Sequence, residues 1–282
     1  MDVAILCIMG PSRSGKSFFL NFVRLYLDYL ESKRGKGMTR VERKASSVSS
    51  SNSEIPEWIN SGGERISGFD VKGGIVAVTQ GIHFWSKPYI LRRDNGKEMC
   101  LLLMDTQGLW DDKMENDFNC CIFGLSCVLS SYVIFNQKKN INSMELKRLA
   151  GLSMLSKEMV SEGRKKTFQH LDIQLRDYEG FSLRKDTIET SEEKRKQRLI
   201  QLQGSVAEKE SFEALKSCFD MVEVMCSFDP GDEVRDVDYQ GTISDIRPKF
   251  LQLMSRYVEG IVNTIEPLKV GGRNMKCEEF AK

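Results

Sequence analysis

Gly10-Pro11-Ser12-Arg13-Ser14-Gly15-Lys16-Ser17 fits the pattern G-x-x-x-x-G-K-[ST] at every fixed position. Residue types in that spacing can cradle phosphate. Gly10 and Gly15 permit backbone angles that a side chain forbids, so successive N–H groups can turn inward around phosphate oxygens. A helix N-terminus adds its partial positive charge. Lys16 can reach the β- and γ-phosphates of a nucleotide, and the Ser17 hydroxyl can ligate Mg²⁺. The bland reading is a glycine turn followed by a chance Lys-Ser. The flanks weigh against it, because an apolar strand-like run precedes the glycines and helical spacing follows them.

A second signal is Leu101-Leu102-Leu103-Met104-Asp105-Thr106-Gln107-Gly108, an apolar strand ending in D-x-x-G. Asp105 at such a tip can hold Mg²⁺ through water, and the Gly108 N–H can bond a γ-phosphate. A carboxylate at the end of a buried strand is costly unless a cation or hydrogen bonds satisfy it. By itself D-x-x-G also reads as a turn. Thr79, in Val76-Ala77-Val78-Thr79-Gln80-Gly81, stands where GTPases place the threonine that senses Mg²⁺ and the γ-phosphate. Thr is also common in strands, so Thr79 alone is a weak signal. N-K-x-D, the usual guanine reader of small GTPases, does not occur. The carboxylate at a strand tip in the corresponding place is Asp177, preceded by Arg176.

Elements must position these groups. The continuous apolar run Val3-Ala4-Ile5-Leu6-Cys7-Ile8-Met9 predicts a strand buried on both faces. A helix follows from Phe18. Residues 120–135 read as a buried helix leading into a strand at 132–135. An amphipathic helix is expected over 144–159, with Leu146, Leu149, Leu152 and Leu155 on one face. Residues 168–175 alternate and predict a half-buried strand. A solvated helix at 187–203, a helix at 212–219, a strand at 221–226 and a closing helix at 246–265 complete the pattern. Strands alternating with helices predict an α/β fold with a mostly parallel sheet. Residues 44–53, rich in serine, read as a mobile loop.

Composition narrows the function. The 282 residues carry a net charge of +1, which makes no case for nucleic acid as partner. Eight cysteines without a C-x-x-C pair, beside two histidines, read as a reduced cytosolic chain without a zinc site. No signal peptide is expected, and the apolar stretch at 120–135 falls short of the ~18–20 residues of a membrane span.

Together these residues resemble the GTPase domain of the atlastins, in the dynamin superfamily beside the guanylate-binding proteins. The matching elements are G-P-S-R-S-G-K-S, G-F-D-V-K-G-G-x₄-T-Q-G-I-H-F-W-S, L-L-M-D-T-Q-G, L-R-D, and the segment from Ser217-Cys218-Phe219 through Pro230-Gly231. The resemblance spans roughly residues 3–268. It implies a three-layer P-loop GTPase fold, with residues 1–268 as the G domain and 269–282 as the start of a linker or helical middle domain. It implies Mg²⁺-dependent GTP hydrolysis, a nucleotide-dependent homodimer, and a family role in homotypic fusion at the cytosolic face of the endoplasmic reticulum. It makes Arg13 an internal arginine finger and gives catalytic parts to Lys16 and Thr79. Metal would be held by Ser17, Thr79 and, through water, Asp105. The nucleotide would be bound by Gly10, Ser12, Arg13, Ser14, Gly15, Lys16, Ser17, Phe18 and Gly108. Asp177 would read guanine, with Arg176 packed near the base.

Departures from the family pattern stand beside this. The chain opens directly on the phosphate-loop strand and stops at Lys282, shortly after Cys277, where the family's helical middle domain begins. The membrane hairpin and amphipathic tail of that family have no counterpart here. Gln80 replaces a common Thr, Leu109 holds the place of the Ras-type Gln, and Asp172 and Gln174 roughen a strand that is usually apolar. An excised piece, a partial gene product and a diverged soluble paralogue all fit. Other readings are a GTP-binding regulatory module with little hydrolysis and an ATP-using P-loop kinase; the L-R-D motif speaks against the kinase.

Overall fold

A computed structural model describes residues 1–35, 55–61, 65–69, 81–93, 95–110, 116–160, 167–236 and 238–282. In chain order the elements are β1 (Asp2–Met9), α1 (Lys16–Gly35), α2 (Glu57–Ser61), β2 (Ile82–Phe84), β3 (Tyr89–Arg92), β4 (Glu98–Thr106), α3 (Asn116–Leu129), β5 (Tyr132–Lys138), α4 (Ser143–Val160), β6 (Phe168–Arg176), α5 (Ile188–Gly204), α6 (Val206–Cys218), β7 (Phe219–Cys226), α7 (Pro248–Thr264), β8 (Lys269–Val270), β9 (Arg273–Asn274) and α8 (Cys277–Phe280). The main sheet runs β2-β4-β1-β5-β6-β7, with β3 also paired to β4. Strands β4, β1, β5, β6 and β7 are parallel, while β2 and β3 lie antiparallel to β4. The fold is therefore α/β with a mostly parallel sheet between two helical layers.

β1 shows why its sequence reads as one apolar run. Successive side chains on a strand point to opposite faces. Ala4, Leu6 and Ile8 join the core that contains α1 and α7. Val3, Ile5, Cys7 and Met9 join the core that contains α3, α4 and α6. Both faces are covered, which is why the strand reads as a continuous apolar run from Val3 to Met9.

Three expectations change in detail. β6 is not half-buried: it lies between β5 and β7 in the sheet. Leu171, Ile173 and Leu175 fill one core, and Asp172 and Gln174 are buried on the opposite face at 2% and 1% exposure. On α4, Leu146, Leu149 and Leu152 are buried but Leu155 is exposed. Threefold spacing advances about 300° per step on a helix of 3.6 residues per turn, so Leu155 has drifted to the far side from Leu146. On α5 the charged surface conceals a buried seam of Ile188, Ser191, Arg198 and Leu202. Arg198 there donates to the Ile141 carbonyl at 2.8 Å and pairs with Glu208 at 3.3 Å.

β5 pairs with β1 only from Leu6 onward. The first half of β1 is covered on that edge by the end of the chain. Val3 N donates to Met275 O at 3.0 Å, Leu268 N to Val3 O at 2.7 Å, and Cys277 N to Met1 O at 2.9 Å. Lys276 adds an ion pair to Asp2 at 2.6 Å. The Ser-rich stretch 44–53 lies outside the described residues.

Candidate functional site

The sequence-marked residues gather at the C-terminal ends of β1, β4, β5 and β6, the edge where open parallel sheets bind ligands. Gly10 follows β1 with φ 144°, and a Cβ there would lie 2.3 Å from the Asn136 carbonyl oxygen. No other residue fits. Asn136, near the end of β5, donates Nδ2 to the Ser14 carbonyl at 2.8 Å and so anchors the loop to the sheet. Ser14 N closes the turn on Pro11 O at 3.3 Å. The Ser14 hydroxyl is buried with no partner among the described residues. Arg13 holds a left-handed φ of 59° and is exposed, with no hydrogen bond or ion pair among the described residues.

Lys16 opens α1 and is buried. Its Nζ donates to Pro11 O at 3.0 Å and Gly10 O at 3.3 Å. Burial pulls its pKa down to about 8, against the opposing pull of the Asp105 charge. Ser17 Oγ donates to Asp105 Oδ2 at 2.6 Å, and Thr106 N donates to Asp105 Oδ1 at 3.0 Å. Phe18 is turned away: its ring packs against Phe22 and Phe250 in the core. Only its backbone N–H, one of the donors a first helical turn leaves free, remains for a ligand.

The loop after β4 lies directly on the phosphate loop. Leu109 N donates to Gly10 O at 2.9 Å, and a Cβ on Gly108 would stand 2.4 Å from Ser12 Cα. Gln107 and Gly81 exchange two bonds, Gln107 N to Gly81 O at 2.7 Å and Gly81 N to Gln107 Oε1 at 2.8 Å. Leu109 is buried in the core rather than facing this edge. Thr79 and Gln80 lie outside the described residues.

β6 brings the other half. The Arg176 guanidinium presses on the phosphate loop, its Nη1 3.0 Å from where a Cβ of Gly15 would be. Burial lowers the Arg176 pKa, and the neighbouring Asp177 charge offsets part of that. Asp177 has φ 57° and is 8% exposed. Its Oδ2 meets Arg235 Nη2 at 3.4 Å. Its Oδ1 is buried with no partner among the described residues. Arg235 also pairs with Asp229 and Asp232, and Arg247 reaches Asp229 at 3.1 Å. The segment after β7 thus orients Asp177 through a chain of charges.

Three residues here escaped sequence reasoning: Asn136, Gln107 and Arg235. Asn136 left a trace, a polar residue closing an apolar strand. Arg235 left none, because it acts on a group 58 positions away. The ensemble offers the first turn of α1, a buried ammonium, a hydroxyl–carboxylate pair and a buried acceptor on one edge. That set suits a nucleoside polyphosphate with a divalent cation.

Comparison with known proteins agrees in scale. A family model described as guanylate-binding protein, N-terminal domain, matches residues 1–266. Atlastin-1 of Bos taurus is 24% identical over 284 residues, which is 98% of this chain and 46% of that protein. Atlastin-3 of Rattus norvegicus is 31% identical over 178 residues, 63% of this chain and 29% of that protein. The chain thus spans less than half the length of these relatives. A septin GTPase domain from Chlamydomonas reinhardtii superposes with a TM-score of 0.37 and 9% identity, over 72% of this chain and 61% of that one. At that score it adds nothing to the fold read from the sheet order.

Proposed function

Since this chain belongs to the guanylate-binding protein N-terminal domain family and is a GTPase domain of the atlastin and guanylate-binding type, we propose that it binds GTP with Mg²⁺ and couples hydrolysis to GDP and phosphate to pairing with a second copy. The observation that carries this reading is the convergence on one sheet edge of Lys16, the Ser17–Asp105 bond at 2.6 Å and an Asp177 oxygen that is unpartnered among the described residues. Lys16 and the N–H groups of Gly10 and of Ser12 through Phe18 bind the phosphates, Pro11 having no N–H to offer. Arg13 closes over the γ-phosphate and offsets the charge spread over its oxygens, a contribution of about 10³–10⁵ in GTPases generally. Gly108 bonds the γ-phosphate, Asp177 reads guanine and Arg176 packs near the base.

Ser17 Oγ, Thr79 and, through water, Asp105 hold Mg²⁺, which when bound neutralises charge on the β- and γ-phosphate oxygens. The donor set fits such an ion. Among the described residues no group of three or more His, Cys, Asp or Glu side chains is arranged to hold a metal ion by itself. A cation at Ser17 and Asp105 therefore needs phosphate oxygens and water to complete its shell, as Mg²⁺ in nucleotide sites does.

On this reading residues 1–268 form the G domain, with 269–282 leading toward a helical middle domain. Fusion of endoplasmic reticulum membranes, on their cytosolic face, belongs to the proposal at the level of the family. No helix among the described residues is long and apolar enough to cross a membrane.

The test is turnover of GTP and ATP side by side at low and high protein concentration, with sedimentation under GDP, a non-hydrolysable analogue and GDP–aluminium fluoride. GTP should be hydrolysed in preference to ATP, faster per molecule as concentration rises. A dimer burying the low end of ~1,200–2,000 Å² should form with the transition-state mimic. A monomer under all three conditions, with turnover independent of concentration, would favour a GTP-binding module that acts without self-pairing.

A further inference from the structure

Cys100 and Cys277 come together from distant parts of the chain. Cys100 lies near the start of β4 and is buried. Cys277 opens α8 and is half-buried. Cys100 belongs to the core on the α3–α4 side of the sheet, and Cys277 packs against that same core. The path of α8 explains the meeting. Its first residue is tied to β1, Cys277 N donating to Met1 O at 2.9 Å. Its last, Phe280, has its ring 6.4 Å from that of Phe84 on β2. β4 lies between β1 and β2 in the sheet, so α8 crosses β4.

The backbone sets the two thiols face to face. Val3 turns both its N–H and its carbonyl toward the end of the chain, to Met275 and Leu268. The Asp2 carbonyl therefore points the other way, toward β4. In the parallel ladder Asp2 stands opposite Met99 and Val3 opposite Cys100, which makes that carbonyl the acceptor for the Cys100 N–H. Cys277 Sγ lies 3.8 Å from the same carbonyl oxygen. From there it reaches the Cys100 thiol, and both sulfurs are free. Burial, with Cys277 beside it, pushes the Cys100 thiol up to about 11. Packing as a small hydrophobe accounts for Cys100 among its apolar neighbours. It does not account for a half-buried thiol held at a carbonyl beside it.

We propose that Cys100 and Cys277 form a thiol–disulfide exchange site, which takes a small soluble disulfide such as oxidised glutathione and closes reversibly into a bond that staples α8 to β4. Cys277, the more accessible thiol, reacts first. Its thiolate attacks one sulfur of the oxidant, forms a mixed disulfide and expels one glutathione thiolate. Cys100 then gives its proton to solvent and attacks the Cys277 sulfur, forming the protein disulfide and expelling the second glutathione. Two protein thiols are oxidised, one glutathione disulfide is reduced, and the two released protons end on the two glutathione thiols. The second step is slow in solution terms because Cys100 holds its proton, but the two sulfurs are already in contact. The closed loop runs from β4 to α8, so the bond restrains much of the unfolded chain. The inference is independent of the GTPase reading, since it concerns a different set of residues.

The test is peptide mass spectrometry of the intact native chain, equilibrated with glutathione buffers of rising oxidised-to-reduced ratio and then unfolded in iodoacetamide. In the parent, peptides holding Cys100 and Cys277 should appear joined by a disulfide as the ratio rises, and separate again in excess reduced glutathione. Cys100→Ser should stop at the glutathione adduct on Cys277, at least ~10-fold more abundant than in the parent. The oxidised parent should melt at least ~5 °C above the reduced parent, while Cys277→Ser should melt alike in both buffers. A parent that accumulates glutathione on Cys277 while Cys100 remains open to iodoacetamide overturns the proposal. So does a chain in which both cysteines stay thiols at every ratio, or in which Cys277 pairs with a cysteine other than Cys100.

Discussion

Ser17 Oγ donates to Asp105 Oδ2 at 2.6 Å, tying the first turn of α1 to the tip of β4 across 88 residues of sequence. The bond places a hydroxyl and a carboxylate together where each could serve the same cation. Asp105→Asn preserves an acceptor for Ser17 but removes the negative charge. Release of bound GDP from the parent chain should slow at least ~10-fold when Mg²⁺ is added, and the variant should lose most of that dependence. Stopped-flow displacement of a fluorescent GDP, with Mg²⁺ or with chelator, reads both. An unchanged Mg²⁺ effect in the variant removes Asp105 from the metal site.

Lys16 ties stability to pH. Its pKa falls from 10.5 in the unfolded chain to about 8 in the folded one, because burial disfavours its charge. Between those values the unfolded state binds the extra proton, so this group makes stability rise with pH from about 8 toward 10.5. The contribution amounts to at most about 3 kcal/mol. Buried tyrosines and cysteines oppose it at the same pH, so the readout is the difference between the parent and Lys16→Met in urea melts at a series of pH values. The parent should gain on the variant as pH rises. Lys16→Met should also abolish binding of a GTP analogue, which loses a charge-assisted contact of ~1.5–3 kcal/mol. Parallel pH profiles would show that Lys16 is not desolvated, and unchanged affinity would place the phosphates elsewhere.

Arg13 carries backbone strain together with its charge, since φ of 59° is a glycine conformation. Arg13→Gly separates the two. Relief of the strain should leave the unfolding midpoint level or raised, while single-turnover hydrolysis should drop at least ~10² with GTP affinity little changed. Near-normal hydrolysis in this variant would assign the transition-state charge to another residue.

Asp177 offers its Oδ1 as a buried acceptor, unpartnered among the described residues, beside an Oδ2 held by Arg235. A carboxylate accepts from both N1–H and the exocyclic amine of guanine. Asp177→Asn turns one acceptor into a donor, which suits the carbonyl that xanthine carries at that edge. Competition of GTP and XTP for a bound fluorescent nucleotide should shift toward XTP by at least ~10-fold. A variant that keeps the parent's preference for GTP would mean guanine is read by other groups.

The sequence determined the parts of this protein whose physics is local. The loop proposed to cradle phosphate is made from neighbouring backbone groups and the start of the helix that follows them, so eight adjacent letters specify it. A strand buried on both faces announces itself as an unbroken apolar run, as β1 and β4 do. Tertiary structure decided whatever depends on neighbours brought from far along the chain. The alternation of β6 reads as a half-exposed strand, but the sheet places β5 on one side and β7 on the other and buries Asp172 and Gln174 with it. Asn136 holds Ser14 over 122 residues, and Arg235 holds Asp177 over 58. Neither pairing has a spacing that a linear pattern could register, because the sheet order, not the sequence interval, sets which strand ends meet.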